Sequence, residues 1–209
     1  MSHTFVQELF ELEGFAHHEI FAGCKYPWEA LVRLEQYLQS QSLGKIEGDV
    51  SASAYLVHPE KISLGKGVVV EPGAYIEGPC IIGAGTVIRH GAYLRGHVIV
   101  GEGCIIGHCT ELKNAIFLNG ASAAHFNYVA DSVVGNRVNL GAGSKCANLR
   151  LDRRNIRVKV QGALIDTQMK KLGAIIGDGA QIGCNCVLNP GTVLKKNSIC
   201  LPCLNIGGQ

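Results

Sequence analysis

Residues 62–118 read ISLGKGVVVEPGAYIEGPCIIGAGTVIRHGAYLRGHVIVGEGCIIGHCTELKNAIFL. Stepping by six from Leu64 meets Val70, Ile76, Ile82, Ile88, Leu94, Val100, Ile106, Leu112 and Leu118, all aliphatic. Two places before members of this series stand Ile62, Val68, Ala74, Cys80, Thr86, Ala92, Val98, Cys104 and Thr110, mostly small or β-branched. In a strand, residues i and i−2 share one face, so each hexad predicts a short strand followed by a corner rich in Gly and Asn. A helix turns every 3.6 residues and cannot hold a six-residue period on one face. Three such strands close a triangular coil of about 18 residues, and the coils stack in parallel. The predicted fold class is all-β: a parallel β-helix of hexapeptide repeats.

Working outward, the series is expected to slip between Leu118 and Tyr128. Val134, Leu140 and Cys146 then carry it, and it resumes at Ile176, Ile182, Leu188, Leu194 and Cys200. Residues 147–173 break it with Arg150, Arg153, Arg154, Arg157, Lys159, Lys170 and Lys171, and read as a loop excursion anchored by coils on both sides. Ahead of the repeat, Pro27-Trp28-Glu29 opens a helix with Ala30, Leu31, Leu34, Tyr37 and Leu38 on one face. Residues 4–12 read as a second short helix and 44–62 as a degenerate first coil. The expected division is a short N-terminal helical segment, 1–45, and a β-helix domain, 46–209.

Composition narrows the function. Lys plus Arg number 19 against 17 Asp plus Glu, a net charge of +2, which lacks the basic excess expected of a nucleic-acid partner. No apolar run approaches the roughly 20 residues of a membrane span, and Met1–Phe10 lacks a signal-peptide layout. The expectation is a cytoplasmic protein without nucleic-acid or membrane partners. The 9 cysteines are an odd number, and Cys80, Cys104, Cys146 and Cys200 fall on repeat positions that suit a small buried residue. Cys184-x-Cys186 and Cys200-x-x-Cys203 could mark a metal, but no His follows at zinc-site spacing.

The strongest break in the pattern is Ala121-Ser-Ala-Ala-His-Phe-Asn-Tyr128. His125 is either a general base or a corner histidine held for structure. Arg95 and Lys113 lie one 18-residue coil apart and should stack on one edge. Stacked cations repel, so either they hold an anion such as phosphate or they form a solvated ladder.

Tyr-Leu-Arg at 93–95, Thr-Glu-Leu-Lys at 110–113, His-Phe-Asn-Tyr at 125–128, Asn-Leu-Gly-Ala-Gly at 139–143 and Asn148 follow one another in order. Over most of residues 46–203 this resembles the acetyltransferase domain of the bifunctional N-acetylglucosamine-1-phosphate uridyltransferase/glucosamine-1-phosphate acetyltransferase family. The archaeal-type sugar-1-phosphate nucleotidylyltransferase/acetyltransferases resemble it most, through Asn148-Leu149-Arg150 and the Tyr26–Leu31 helix. The resemblance implies a left-handed β-helix and an acetyl-CoA-dependent N-acetyltransferase acting on a hexosamine 1-phosphate, glucosamine 1-phosphate first, with no metal required. It implies His125 as base; Arg95, Lys113 and Tyr128 on the sugar phosphate; and Glu111 beside the lysine. It also implies Asn139 and Asn148 positioning the amino sugar or base, Arg154 and Arg157 in place of family lysines, and Ala142, Cys184 and Pro202 against the CoA. Family members are homotrimers with the site between subunits. Fewer than about 50 residues precede the repeat, too few for the family's Gly-rich nucleotidyltransferase domain, so a separate nucleotidyltransferase is a candidate partner. The alternatives are acyl transfer to another nucleotide-linked sugar, and a non-catalytic trimeric β-helix that binds a sugar nucleotide.

Overall fold

The computed structural model describes residues 5–207. Thr4, the expected start of the first helix, and Gly208 and Gln209 at the end of the β-helix lie outside them. The chain winds into a left-handed parallel β-helix with three faces. The first face is an eight-stranded parallel sheet running from Asp49–Val50 through Ile105–His108 and Ser122–His125 to Ile199–Cys200. The second runs from Tyr55–Val57 through Tyr93–Arg95, Glu111–Phe117 and Tyr128–Val134 to Asn205–Ile206. The third includes Ile62–Leu64, Cys80–Ile82, Val98–Val100, Ala174–Ile176 and Thr192–Leu194. Ile46 forms a parallel bridge with Leu64 ahead of the first strand.

The hexad residues from Leu64 to Leu112 fill the interior, each at most 1% exposed. So do the residues two places before them, including Thr86 and Thr110. Those buried hydroxyls are satisfied: Thr86 donates to the Gly101 carbonyl at 2.8 Å and Thr110 to that of Ala123 at 3.0 Å. Cys80, Cys104, Cys146 and Cys200 are buried core residues, joined by Cys186. Burial pushes the thiols of Cys80 and Cys146 up to about 12 and that of Cys104 to about 11.

The register slips earlier than expected, and twice. Phe117 pairs with Val100, an offset of 17 (100 to 117), while Leu112 pairs with Leu94 at 18. Phe117 therefore takes the interior position and Leu118 points outward, against the N-terminal segment. The physical reason lies in the corner. One coil earlier, two left-handed residues turn it, Gly96 at φ 80° and His97 at φ 51°; here Asn114 turns it alone at φ 46°. Asp131, at φ 48°, repeats the contraction before Val134. Both strands consequently run on as seven residues from the second face to the third.

The third face is covered by its own chain. The helix Trp28–Ser40 buries Trp28, Ala30, Leu31, Leu34 and Leu38, as its sequence pattern indicates. With Val6, Phe10, Phe15 and Phe21 these residues pack on Ile99, Ile116, Leu118, Val133 and Ile175 of the β-helix. The excursion, expected as a loop, contains an antiparallel hairpin, Arg157–Val160 with Ala163–Asp166. Its Ile156, Val158 and Val160 join the same cluster. No helix among the described residues is long and apolar enough to cross a membrane.

A side-chain ladder pins the N-terminal segment. Asn136 donates to the Glu11 carbonyl at 2.8 Å and Asn119 to that of Gly14 at 2.9 Å. Buried Asp178 accepts from the backbone N–H groups of Glu11 and Asn136, each at 2.7 Å. Removing its carboxylate strands these donors, and each buried unsatisfied group costs roughly 1–3 kcal/mol. Asp178→Ala should therefore lower unfolding free energy by about 2–4 kcal/mol, read by urea denaturation. An unchanged midpoint would mean that the ladder contributes nothing.

Candidate functional site

The second face and its two flanking corners bring most of the expected residues together. On it, Glu77, Arg95 and Lys113 occupy equivalent positions of successive coils, since Glu77 pairs with Arg95 and Leu94 with Leu112. The expected stacking of Arg95 and Lys113 is thus present. Arg95 donates to the Glu111 carboxylate at 2.7 Å, so that carboxylate partners the arginine rather than Lys113. Lys113 is half-buried and forms no ion pair among the described residues. Glu111 pairs in register with Tyr128 above it. Burial, and then the charges of Glu111 and Asp131, push the Tyr128 phenol up, opposed by Arg95 and by a hydrogen bond from Asn148.

Asn148 belongs to the corner between the second and third faces. Its amide donates to Asp131 at 2.5 Å, and Asn114 donates to the other oxygen of the same carboxylate at 2.8 Å. Asp131, only 6% exposed, is the part of this cluster that sequence reading missed. The signal was available: 114, 131 and 148 recur at 17, the contracted coil length. Because the Asn148 amide nitrogen already serves Asp131, its oxygen is left to accept from a ligand donor.

His125 occupies the opposite corner, at the end of the strand Ser122–His125, and is exposed. Its backbone is fixed: its N–H donates to the buried Asn127 side chain at 3.2 Å, and its carbonyl accepts from Gly143 at 3.0 Å. Below it stand two histidines that sequence reading passed over. His108 pairs with His125, and the His108 ring stacks on His90 with centroids 5.5 Å apart. His90 Nδ1 meets the Pro72 carbonyl at 2.6 Å and His108 Nδ1 meets the His90 carbonyl at 3.2 Å. A carbonyl only accepts, so each Nδ1 carries the hydrogen. Above His125 the same column continues as Ala142 and Cys184, whose carbonyls accept from Asn185 and Cys203, each at 2.8 Å. Pro202 closes it. Ala142, Cys184 and Pro202 therefore line one edge with His125.

Two expectations separate from this cluster. Asn139 lies on the first face, paired with Ser122 and Gln181, and not beside Arg95, Lys113, Tyr128 or Asn148. The sharp corner between Asn139 and Lys145 turns the chain from one face to the next, and sequence order does not reveal that. Arg154 and Arg157 belong to the excursion, where with Arg150 and Lys170 they line a cavity of about 370 Å³. There the Arg150 guanidinium holds the Asp152 carboxyl well below the usual range. A cavity of about 940 Å³ between the N-terminal segment and the hairpin contains none of the expected site residues.

A parallel β-helix of hexapeptide coils defines a hexapeptide-repeat protein, here with Arg95 and Lys113 on one face and a histidine at one corner. The family profile described as the GMPPB C-terminal domain matches residues 76–199, and the chain belongs to that family. It is 37% identical over 158 residues to a bifunctional sugar-1-phosphate nucleotidylyltransferase/acetyltransferase of Sulfurisphaera tokodaii, covering 76% of this chain and 38% of that one. Against a bifunctional protein GlmU of Methanococcus maripaludis the identity is 38% over 192 residues, 90% of this chain and 45% of that one. A putative uncharacterized acetyltransferase of Escherichia coli, YaiX, is 36% identical over 138 residues, 66% of this chain and 60% of that one. The chain thus spans less than half the length of the first two relatives.

Proposed function

We propose that the chain transfers an acetyl group from acetyl-CoA to the amine of a hexosamine 1-phosphate, glucosamine 1-phosphate first. The observation that carries this reading is the stacking of Arg95 and Lys113 on a face flanked by His125 at one corner and the Asn148–Asp131 pair at the other. The two cations stand on adjacent strands; Arg95 is paired with Glu111 while Lys113 has no ion pair among the described residues, so a bound phosphate would supply the anion that Lys113 lacks. A phosphate held there fixes the amine relative to a thioester, which supplies proximity.

The chemistry follows from the residue types. His125 takes a proton from the acceptor amine as its nitrogen attacks the thioester carbonyl carbon. The C–S bond of the tetrahedral intermediate then breaks, and the imidazolium returns the proton to the CoA thiolate. Asn148 accepts from the sugar through its free side-chain oxygen. The small residues Ala142, Cys184 and Pro202 above His125 leave room along that edge for the extended arm of CoA. The cations Arg154 and Arg157 suit a phosphate of either substrate. We further read the active unit as a homotrimer with the site at the subunit boundary. The third face is already buried under the N-terminal segment, which leaves the other two faces for contact.

The test is release of free CoA thiol from acetyl-CoA with a panel of amino-sugar 1-phosphates. Turnover that needs both the amine and the phosphate is expected. Lys113→Ala should raise KM for the acceptor about tenfold or more, before kcat changes, because it holds phosphate in ground and transition states alike. No thiol release with any amino-sugar phosphate, from a protein that light scattering shows to be a trimer, would sink the reading.

A further inference from the structure

The second face carries a feature that the sugar phosphate leaves unused. Tyr55, Tyr75 and Tyr93 occupy equivalent outward positions of three successive coils, directly below Glu111 and Tyr128. Their rings form a continuous ladder: Tyr55 and Tyr75 centroids lie 6.5 Å apart, and Tyr75 and Tyr93 lie 5.3 Å apart, edge to face. The three residues are 65%, 37% and 40% exposed, respectively. The ladder meets the cation pair directly, since the Arg95 guanidinium sits 5.7 Å from the Tyr93 ring centroid.

The order of chemistry along the solenoid axis is informative. From the C-terminal side it runs from the His125–Tyr128 coil, to Lys113, to Arg95, to Tyr75 with Glu77, to Tyr55. Each step is one strand spacing, about 4.8 Å. The anion site is bounded below, because Glu77 sits under Arg95 in the same column and forms no ion pair among the described residues. A second or third phosphate beyond Arg95 would meet that carboxylate, whereas a ribose hydroxyl or a base N–H would donate to it. Aromatic rings without hydrogen-bond selectivity, beside a site for one or two phosphates, match a planar heterocycle attached through a diphosphate.

We propose that the tyrosine ladder is a stacking platform for the base of a nucleoside diphosphate-linked amino sugar, the diphosphate lying on Arg95 and Lys113 and the amine pointing toward His125. This extends the acceptor of the proposed acetyl transfer and rests on that reading for the direction of the ligand, though not for its binding.

The experiment is isothermal titration of the full chain with UDP, GDP and inorganic phosphate. At least one nucleotide should bind about tenfold or more tightly than phosphate, the magnitude base–aromatic stacking supplies. Tyr75→Thr keeps a strand-forming residue at an exposed position; it should abolish that advantage and leave phosphate affinity unchanged. Lys113→Ala should weaken both ligands. Nucleotides that bind no better than phosphate, or a Tyr75→Thr variant with full nucleotide affinity, would overturn the platform. So would a Tyr75→Thr variant that dissociates the oligomer, since the ladder would then be a subunit contact. Acetylation of glucosamine 1-phosphate with no nucleotide effect overturns the platform alone. Tyr75-dependent nucleotide binding without acetyl transfer keeps the platform and overturns the proposed reaction instead.

Discussion

Replacing His125 by alanine is expected to lower kcat about 10²- to 10⁴-fold while leaving KM for acetyl-CoA and acceptor nearly unchanged, the range typical of a removed general base. The loss corresponds to roughly 3–5 kcal/mol of barrier. The side chain is exposed, and its backbone anchors, Asn127 and Gly143, do not involve the imidazole. The variant should therefore fold and assemble as the parent does. Steady-state kinetics of a folded His125→Ala variant decide the matter, and a near-normal kcat would return the histidine to a structural role. His108→Ala is the matched control. Its ring belongs to the same column but leans on the Phe126 ring, centroids 4.9 Å apart, one coil away.

The second large effect is structural and lies one coil below the same corner. Gly107→Ala is expected to destabilise the fold by about 3 kcal/mol or more, at the upper end of overpacking costs. A Cβ on Gly107 would overlap the backbone carbonyl of Ala124, the residue before His125. No side chain can swing aside, because the obstructing atoms are backbone. Relief requires lifting the 121–127 segment away from its neighbour, which displaces His125. Urea denaturation should show the loss of stability, and the surviving folded fraction should show a lower kcat. A Gly107→Ala variant with parental stability would mean that this corner is looser than its packing indicates.

Legibility in the sequence followed physical range. The period of six is a local property of one chain passing through equivalent positions, so the coil, its core residues and the buried cysteines could be read from spacing. The stacking of Arg95 and Lys113 followed from the same arithmetic, because both lie in coils of regular length. The contractions at Asn114 and Asp131 did not. Ile116, Phe117 and Leu118 are all apolar, and hydrophobicity cannot say which one turns inward when a corner loses a residue. The slip was accordingly expected too late, and the Asn114–Asp131–Asn148 ladder at offset 17 went unseen.

The sequence alone determined the repeat, the three-faced coil, the N-terminal helix with its apolar stripe, and the motif order that places this chain in its family. Only the tertiary structure decided what that stripe covers, since Leu118, Ile99 and Val133 form an outward apolar patch only once separate coils stack. Only it showed Asp131 orienting Asn148, and Asn139 on the first face, away from the cation pair. It also aligned Tyr55, Tyr75 and Tyr93, whose spacings of 20 and 18 conceal the ladder until an irregular first coil brings them into register. Which side chains share a face across coils depends on the length of every corner between them, and corner length is set by backbone conformations that a periodic pattern does not record.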